Sequence, residues 1–143
     1  MNKLKLALIL ITAICAVTTG FAQVGINTTN PLSTLDINGN LSVKAITLNG
    51  SAAITPITDG VYISLNPLAM DQEFQLPSPL TYPGRIYYLR NINDTHTAKL
   101  TTSAGNFFFR PLTSGGVATI FMYDNHYRTF MVISDGSNWT VFD

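Results

Sequence analysis

The sequence contains little charge and no excess of either sign. Charged residues make up 11% of the 143 residues, and eight basic side chains balance eight acidic ones. So few charges exclude a solvated disordered chain. The even balance excludes a surface that attracts nucleic acid or an anionic membrane through a long-range field. We therefore expect neither nucleic acid nor any other partner held mainly by charge.

Cysteine is also nearly absent, since Cys15 is the only one. It lies in an N-terminal apolar run, and Ile14 precedes it where a bacterial lipoprotein signal has a small residue, so we expect no lipid anchor. If the N-terminal segment is removed, the remaining chain holds no cysteine, and its stability cannot depend on disulfides.

The N-terminal residues have the pattern of a secretory signal peptide. Lys3 and Lys5 precede an apolar run over residues 6–17, and Gly20 and Ala22 are small residues at the positions that cleavage requires. The run has twelve residues, fewer than the roughly 20 that span a bilayer. We predict a signal peptide over residues 1–22, cleavage after Ala22, and a product that is secreted or held at the outer cell surface with no membrane span.

Helix-forming sequence is missing from the rest of the chain. No stretch of a dozen residues shows apolar spacing of three and four without an interruption by Pro, Gly or Asn. Short runs of β-branched and aromatic residues take its place, separated by turn residues, and they predict strands. The predicted strands cover residues 61–65, 85–92, 97–102, 107–110, 117–123, 127–134 and 139–142.

The turn residues predict how these strands pair. Asp124-Asn125 and Asp135-Gly136 tolerate the positive φ of tight turns, so we expect the last three strands to form an antiparallel meander. Residues 68–74 could instead take one helical turn between two prolines. The fold class predicted is all-β, an antiparallel sandwich or barrel-like head over residues 55–143.

Residues 23–54 differ in composition from this head. Isolated apolar residues alternate with Gly, Asn and Pro, and a segment this short cannot bury enough surface to offset its ordering entropy. It is either disordered or wrapped around other copies of itself. Apolar alternation on both sides of Asn38-Gly39 predicts a small hairpin with one apolar face, which favours a stalk or attachment segment.

Several head strands are apolar on both faces, which a lone sandwich normally avoids. Ile120 to Tyr123 and Phe130 to Ile133 are two such runs. Because large exposed apolar patches are uncommon on monomers, we expect a second subunit to cover some of these faces.

Two groups of motifs resemble a known class of proteins. VGINTTNPLSTLDINGNL, starting at Val24, is similar to a VGIGTTxPxxxLDVxGxL segment of secreted and surface bacterial proteins that resemble phage tail fibres. The rest of the chain looks like the head module of such fibres, whose short motifs recur here in the same order: Leu76-Pro77, PGRIYYLRN from Pro83 and SDGSNW from Ser134. Asn27 departs from the usual Gly of the first motif, and residues 123–129 are longer than the corresponding family hairpin.

The resemblance implies a β-rich fibre or adhesin-like protein, a homo-oligomer for which a trimer is favoured, with no catalytic role. The residues themselves also favour a protein without catalytic activity, because the sequence has no G-x-S-x-G, P-loop or dinucleotide-binding motif. Most carboxylates stand in turn contexts, and neither His96 nor His126 has a second ligand nearby in sequence. We therefore predict no cofactor and no metal site.

One loop carries the residue types that recognise glycans or protein surfaces. Tyr123, Asn125, His126, Tyr127 and Arg128 combine aromatic, amide and guanidinium groups, although an ordinary hairpin tip would look the same. Trp139 could also be a sugar platform, but its place after a turn favours packing inward.

The leading interpretation is a secreted, non-enzymatic structural or adhesive protein that self-associates through β strands and contacts a surface glycan or cell-surface protein. The alternative is a monomeric carbohydrate-binding module on a flexible N-terminal linker. A small glycan hydrolase or lyase is a third possibility, but no carboxylate pair stands out for it.

Overall fold

The chain divides into two units, Met1–Ser42 and Val43–Asp143, in a computed structural model. The predicted signal peptide over residues 1–22 falls almost wholly outside the described part of the chain, as does its cleavage point after Ala22. Within the described ranges, no helix has the length and apolarity needed to cross a membrane. The structure describes residues 2, 3, 5, 23–109 and 115–143.

The N-terminal unit contains two short parallel strands, β1 (Val24–Ile26) and β2 (Leu35–Ile37). The chain returns between them through a loop in which Asn27 has a φ of 57°, the left-handed region that Asn tolerates better than most residues. The predicted hairpin around Asn38-Gly39 is therefore wrong, because β2 pairs backwards along the chain with β1 and not with the residues that follow it.

The second unit is all-β, and its strands lie close to the predicted ones. Of residues 68–74, for which the sequence left a helical turn open, residues 68–71 form a turn and residues 72–74 belong to a strand, because they pair in register with a later strand. The strands are β3 (Ala45–Asn49), β4 (Thr55–Pro56), β5 (Tyr62–Asn66), β6 (Gln72–Leu76), β7 (Ile86–Asn91), β8 (Ala98–Thr102), β9 (Phe107–Phe109), β10 (Thr119–Met122), β11 (Thr129–Ser134) and β12 (Trp139–Phe142).

The strands of the second unit form two sheets whose inner faces share one core. One sheet has the order β10-β8-β6-β4 and the other β3-β5-β7-β11-β12-β9. From β3 to β11 the chain passes from one sheet to the other at every step, so β3, β5 and β7 stack as successive turns of a coil, with β4, β6 and β8 opposite. This is the topology of a short two-sheet solenoid, in which each turn contacts its neighbours.

The antiparallel part of the predicted fold class is wrong. Among the described strands of this unit, five neighbouring pairs run parallel and three antiparallel. Successive turns of a coil run in the same direction, which makes their pairing parallel. The pairs β10–β8 and β11–β7 are antiparallel because β10 and β11 run opposite to the earlier strands of their sheets. The pair β11–β12 is antiparallel because a hairpin joins the two strands.

The predicted meander is only half correct. β11 and β12 pair around Asp135-Gly136, where Gly136 has a φ of 91°. β10 instead pairs with β8 in the other sheet, so residues 123–128 cross between sheets and do not close a hairpin.

The boundary between the units lies before β3, earlier than the predicted start of the head at residue 55. Ile46 pairs with Ile63 and Leu48 with Leu65, so β3 completes the first turn of the solenoid. At the end of β3, the side-chain Oδ1 of Asn49 accepts a hydrogen bond from Asn66 Nδ2 at 2.9 Å. Asn93 Nδ2 then donates to Asn66 Oδ1 at 3.3 Å, which extends the ladder along one corner of the coil.

The core lies between the two sheets, and strand alternation fills it. In β7 the burial pattern alternates strictly, with Tyr87, Leu89 and Asn91 buried and the residues between them exposed. Trp139 is fully buried, with its ring centre 5.7 Å from that of Tyr87 and its Nε1 donating to Thr102 Oγ1 at 3.0 Å. The prediction that Trp139 packs inward is confirmed.

Candidate functional site

The connection between β10 and β11, residues 123–128, contains all five residues predicted to bind a ligand. It crosses from the edge of the four-stranded sheet to the middle of the six-stranded one. An open cleft of about 420 Å³ lies beside it, between β10 and the strands of the facing sheet. The cleft is lined by Phe109, Val117, Thr119, Ile120, Phe121, Tyr123, Tyr127, Phe130 and Asp143.

The structure brings three of the five predicted residues together as a group of rings. His126 stacks on Tyr123 with ring centres 4.5 Å apart and planes 11° from parallel. Tyr127 meets His126 edge to face at 5.2 Å. Tyr123 and Tyr127 line the cleft themselves, whereas His126 contacts both rings without belonging to the lining. Asn125 reaches only the adjacent His126 ring, through its side-chain oxygen.

Arg128 is turned away from the cleft and holds the connection in place. Its guanidinium forms an ion pair with Asp94 at 2.9 Å and donates to the backbone oxygens of Asn91 and Asn93. Five donors in a planar fork suit such a multiple contact. In the structure Arg128 therefore positions the connection, and its contact with a ligand stays a prediction.

The start of the same connection is held by Asn91. Its side-chain Nδ2 donates to the backbone oxygen of Met122 at 2.8 Å, at the end of β10, and to that of His96 at 2.9 Å. Asn91 and Asn93, two residues apart in the chain, thus contact both ends of the connection that carries the rings. Such support fixes ring positions before any ligand arrives, which lowers the entropy cost of binding.

Tyr127 has a φ of 47°, in the left-handed region. This conformation is unfavourable for a bulky residue and persists only where surrounding contacts enforce it. Its side chain is 59% exposed even though it contacts His126, so the strained backbone presents an aromatic ring to solvent at the mouth of the cleft.

The remaining lining residues come from strands that the sequence did not connect with the loop. Phe121 stands two residues before Tyr123, and the alternation of β10 could have placed the two rings on one face. Phe109, Phe130 and Asp143 belong to β9, β11 and the residue after β12, and no local pattern links them. Phe109 and Phe130 pack edge to face at 5.8 Å.

Most of the carboxylates that might have supplied acid–base chemistry serve the fold, as their turn contexts predicted. Asp36 accepts from the backbone of Leu32 at 2.8 Å, and Asp135 accepts from those of Ser137 and Asn138. Across the described residues, no three His, Cys, Asp or Glu side chains gather as metal ligands.

Two carboxylates have shifted acidities because of ion pairs. Hydrogen bonds from Lys99 and then from Thr101 hold the pKa of Glu73 below its usual value, on the outer face of the four-stranded sheet. Lys44, together with the backbone of Gly60, lowers the pKa of Asp59 in the same way. Both pairs lie away from the cleft lining and stabilise strand ends and turns.

A second cleft, of about 410 Å³, lies at the corner formed by residues 51–54 and 69–73. Its described lining is mostly small or aliphatic and contains no aromatic ring, so it offers little to a specific ligand. No family model, curated protein or solved structure matches the chain.

Proposed function

We propose that the protein is exported through a signal peptide cleaved near Ala22 and acts as a non-enzymatic structural or adhesive protein of the tail-fibre kind. It self-associates through β strands, with a trimer favoured. Residues 23–42 serve as the stalk or attachment segment and residues 43–143 carry the head. Its partner is a surface glycan or a cell-surface protein.

The observation that carries the proposal is the exposure of the N-terminal unit. It has backbone order, since Val24 N donates to Thr34 O at 2.8 Å and Asn38 N to Ile26 O at 3.0 Å, but its apolar side chains are not enclosed. Leu32 is 94% exposed. Residues 23–42, the described stretch of this unit, are ordered yet include no buried side chain, so they require a partner surface to offset their ordering entropy. Half or more of each of Val24, Ile26, Leu32, Leu35 and Leu41 faces solvent.

The outer face of the six-stranded sheet supports the same conclusion. Tyr62, Tyr88, Met131 and Phe142 are paired in register across four neighbouring strands, so they form a continuous row. All point away from the core, and none is buried. A row of this kind resembles the apolar centre of a subunit interface more than the wet face of a monomeric sheet.

The alternative, a monomeric carbohydrate-binding module, treats the N-terminal segment as a linker. The cleft beside residues 123–128 is the observation in its favour, because aromatic lining is common to small-molecule sites. The paired strands β1 and β2 weigh against a plain linker. The two functions differ in oligomeric state and not in the presence of a binding site.

Light scattering after size-exclusion chromatography, on residues 23–143 and three variants, tests the proposal. Ile26→Ser with Leu35→Ser removes apolar surface from the N-terminal unit, and Tyr88→Ser removes it from the sheet face. Leu80→Ser is the control, since Leu80 is at least as exposed as the replaced residues but lies in a loop outside both surfaces.

We expect an oligomer for the wild type and for the control, and a lower mass for the double variant at the same concentration. Tyr88→Ser should weaken the assembly if the sheet face is part of the contact. A monomeric wild type, or a double variant with an unchanged mass, would contradict the proposal.

A further inference from the structure

Two aromatic side chains form a surface along the cleft rather than a closed box. The ring centres of Phe121 and Tyr123 are 6.4 Å apart, with planes within 32° of parallel. Both side chains are about 40% exposed. Rings side by side at this spacing offer an extended face with the negative potential of their π electrons.

This aromatic platform, the rings of Phe121 and Tyr123, is held in place by neighbouring residues. His126 stacks on Tyr123 at 4.5 Å, and the hydrogen bonds of Asn91 and Arg128 hold the chain before and after the rings. Tyr127 also lines the cleft and is largely exposed, with its ring edge to face with His126. The aromatic surface is thus fixed in advance, a property of specific small-molecule sites.

The cleft has few polar groups: one that only accepts hydrogen bonds and hydroxyl groups that both donate and accept them. Asp143 supplies a carboxylate, Thr119 a hydroxyl, and the two tyrosines phenolic groups. The part of the lining that the structure describes includes no Lys, Arg or His. A ligand for this site therefore needs hydroxyl donors for the carboxylate, an apolar face for the rings, and no negative charge.

The geometry points to this cleft as a binding site for a neutral pyranose ring of a carbohydrate. The polarised C–H groups on one face of such a ring match the platform of Phe121 and Tyr123, and its hydroxyl groups match Asp143 and Thr119. A volume of about 420 Å³ lies within the range of about 300–1,000 Å³ typical of small-molecule sites. The inference deepens the proposed function, since it rests on the adhesive part of that proposal.

A quaternary ammonium group is the rival ligand for aromatic rings beside a carboxylate. It binds best where rings surround it as walls. The shallow angle between the ring planes of Phe121 and Tyr123 gives one extended face and not two facing walls. The arrangement therefore favours the flat face of a sugar over a spherical cation.

Saturation-transfer NMR on residues 23–143 tests the inference directly. The probes are the methyl pyranosides of glucose, galactose, mannose and N-acetylglucosamine and their β-linked disaccharides, with methyl glucuronide and tetramethylammonium as charged probes. The variants are Tyr127→Ala, Phe121→Ala and Asp143→Asn. The control is Tyr82→Ala, because Tyr82 is a similarly exposed ring that packs under Arg85 outside the cleft.

We expect at least one neutral sugar to bind the wild type and Tyr82→Ala equally, with at least a tenfold loss of affinity in Tyr127→Ala and Phe121→Ala. Asp143→Asn should weaken the same sugar. The inference is overturned if no neutral sugar binds at about 10 mM, if the cleft variants bind as well as the control, or if glucuronide or tetramethylammonium binds more tightly than every neutral sugar.

The mass of each variant, measured by light scattering on the same samples, separates this inference from the proposed self-association. Cleft variants that keep the wild-type mass but lose the sugar support the inference whatever that mass is. A monomeric wild type that still binds sugar through the cleft would contradict the proposed self-association but would support the inference about the cleft.

Discussion

Replacing Asn91 by alanine should destabilise the second unit more than any other asparagine substitution along the coil. Asn91 is fully buried and occupies the inward position next to Leu65, where the preceding turn has an apolar side chain. Both hydrogens of its amide are used, on the backbone oxygens of Met122 and His96, and its Oδ1 accepts from the backbone of Asn93 at 3.0 Å.

The magnitude follows from these three contacts. Alanine leaves the buried oxygen of Met122 without its donor, which costs about 2 kcal/mol, and the two part-buried partners add about 0.5 kcal/mol each. The total of about 3 kcal/mol corresponds to a fall in melting temperature of about 12 °C or more for a unit of this size. The same change should loosen the connection that carries Tyr123, because Asn91 anchors the end of β10.

Urea unfolding followed by the fluorescence of Trp139, at one fixed protein concentration, measures this effect. Asn49→Ala is the matched control, since Asn49 accepts one exposed hydrogen bond from Asn66 and should cost about 0.5–1 kcal/mol. If the two variants unfold within about 0.5 kcal/mol of each other, the argument that Asn91 is a buried anchor is refuted.

Three further changes test other parts of the structure. Gly105→Ala should cost more than Gly84→Ala in urea unfolding, because both glycines have positive φ but only at Gly105 would a Cβ meet the backbone oxygen of Ser137, at 2.3 Å. Trp139→Ala should cost about 3–5 kcal/mol, the usual loss for a large buried ring, as measured by the circular dichroism unfolding midpoint. In Glu73→Gln the urea unfolding midpoint should fall less, as the pH is lowered below about 4.5, than it does in the wild type.

The sign of the Glu73 effect follows from its lowered pKa. The folded state binds the proton less readily than the unfolded state, whose pKa is near 4.5. The carboxylate therefore stabilises the fold above about pH 4.5, and this contribution is lost as pH falls through the lower, folded pKa. An equal acid dependence in both proteins would contradict the role of the pair with Lys99, which is partly exposed and expected to contribute about 1 kcal/mol or less.

The strands could be predicted from the sequence, whereas their pairing could not. Strand propensity and turn residues are local, and they placed β5, β7 and β12 within a residue or so of their observed bounds. Pairing depends on which segments meet in space. The two turns DN and DG looked alike as hairpin signals, yet only Asp135-Gly136 closes one.

One signal of the parallel coil was present in the sequence. Ile46-Thr47-Leu48-Asn49 and Ile63-Ser64-Leu65-Asn66 are near copies of each other, and they stack in register. Repetition of this kind is typical of solenoids. The repeat is short, and the third turn departs from it. Asn93, and not Asn91, continues the row of hydrogen-bonded asparagines, while Asn91 pairs with Leu65 and points into the core.

The candidate site was predictable only along one segment. The aromatic content of residues 123–128 is visible in the sequence, but the direction of each side chain is not. The contacts of Arg128 with Asn91, Asn93 and Asp94, which position the connection, could not be predicted from the sequence. Phe109 and Asp143 reach the cleft through sheet topology alone.

The central proposal is that the apolar surfaces of the N-terminal unit and of the outer sheet face are covered by further copies of the chain. Sedimentation equilibrium of residues 23–143 across the micromolar range tests it most directly. We expect a mass that is a multiple of the monomer, with three copies favoured, falling only on dilution. A single monomeric species over the whole concentration range would contradict the proposal.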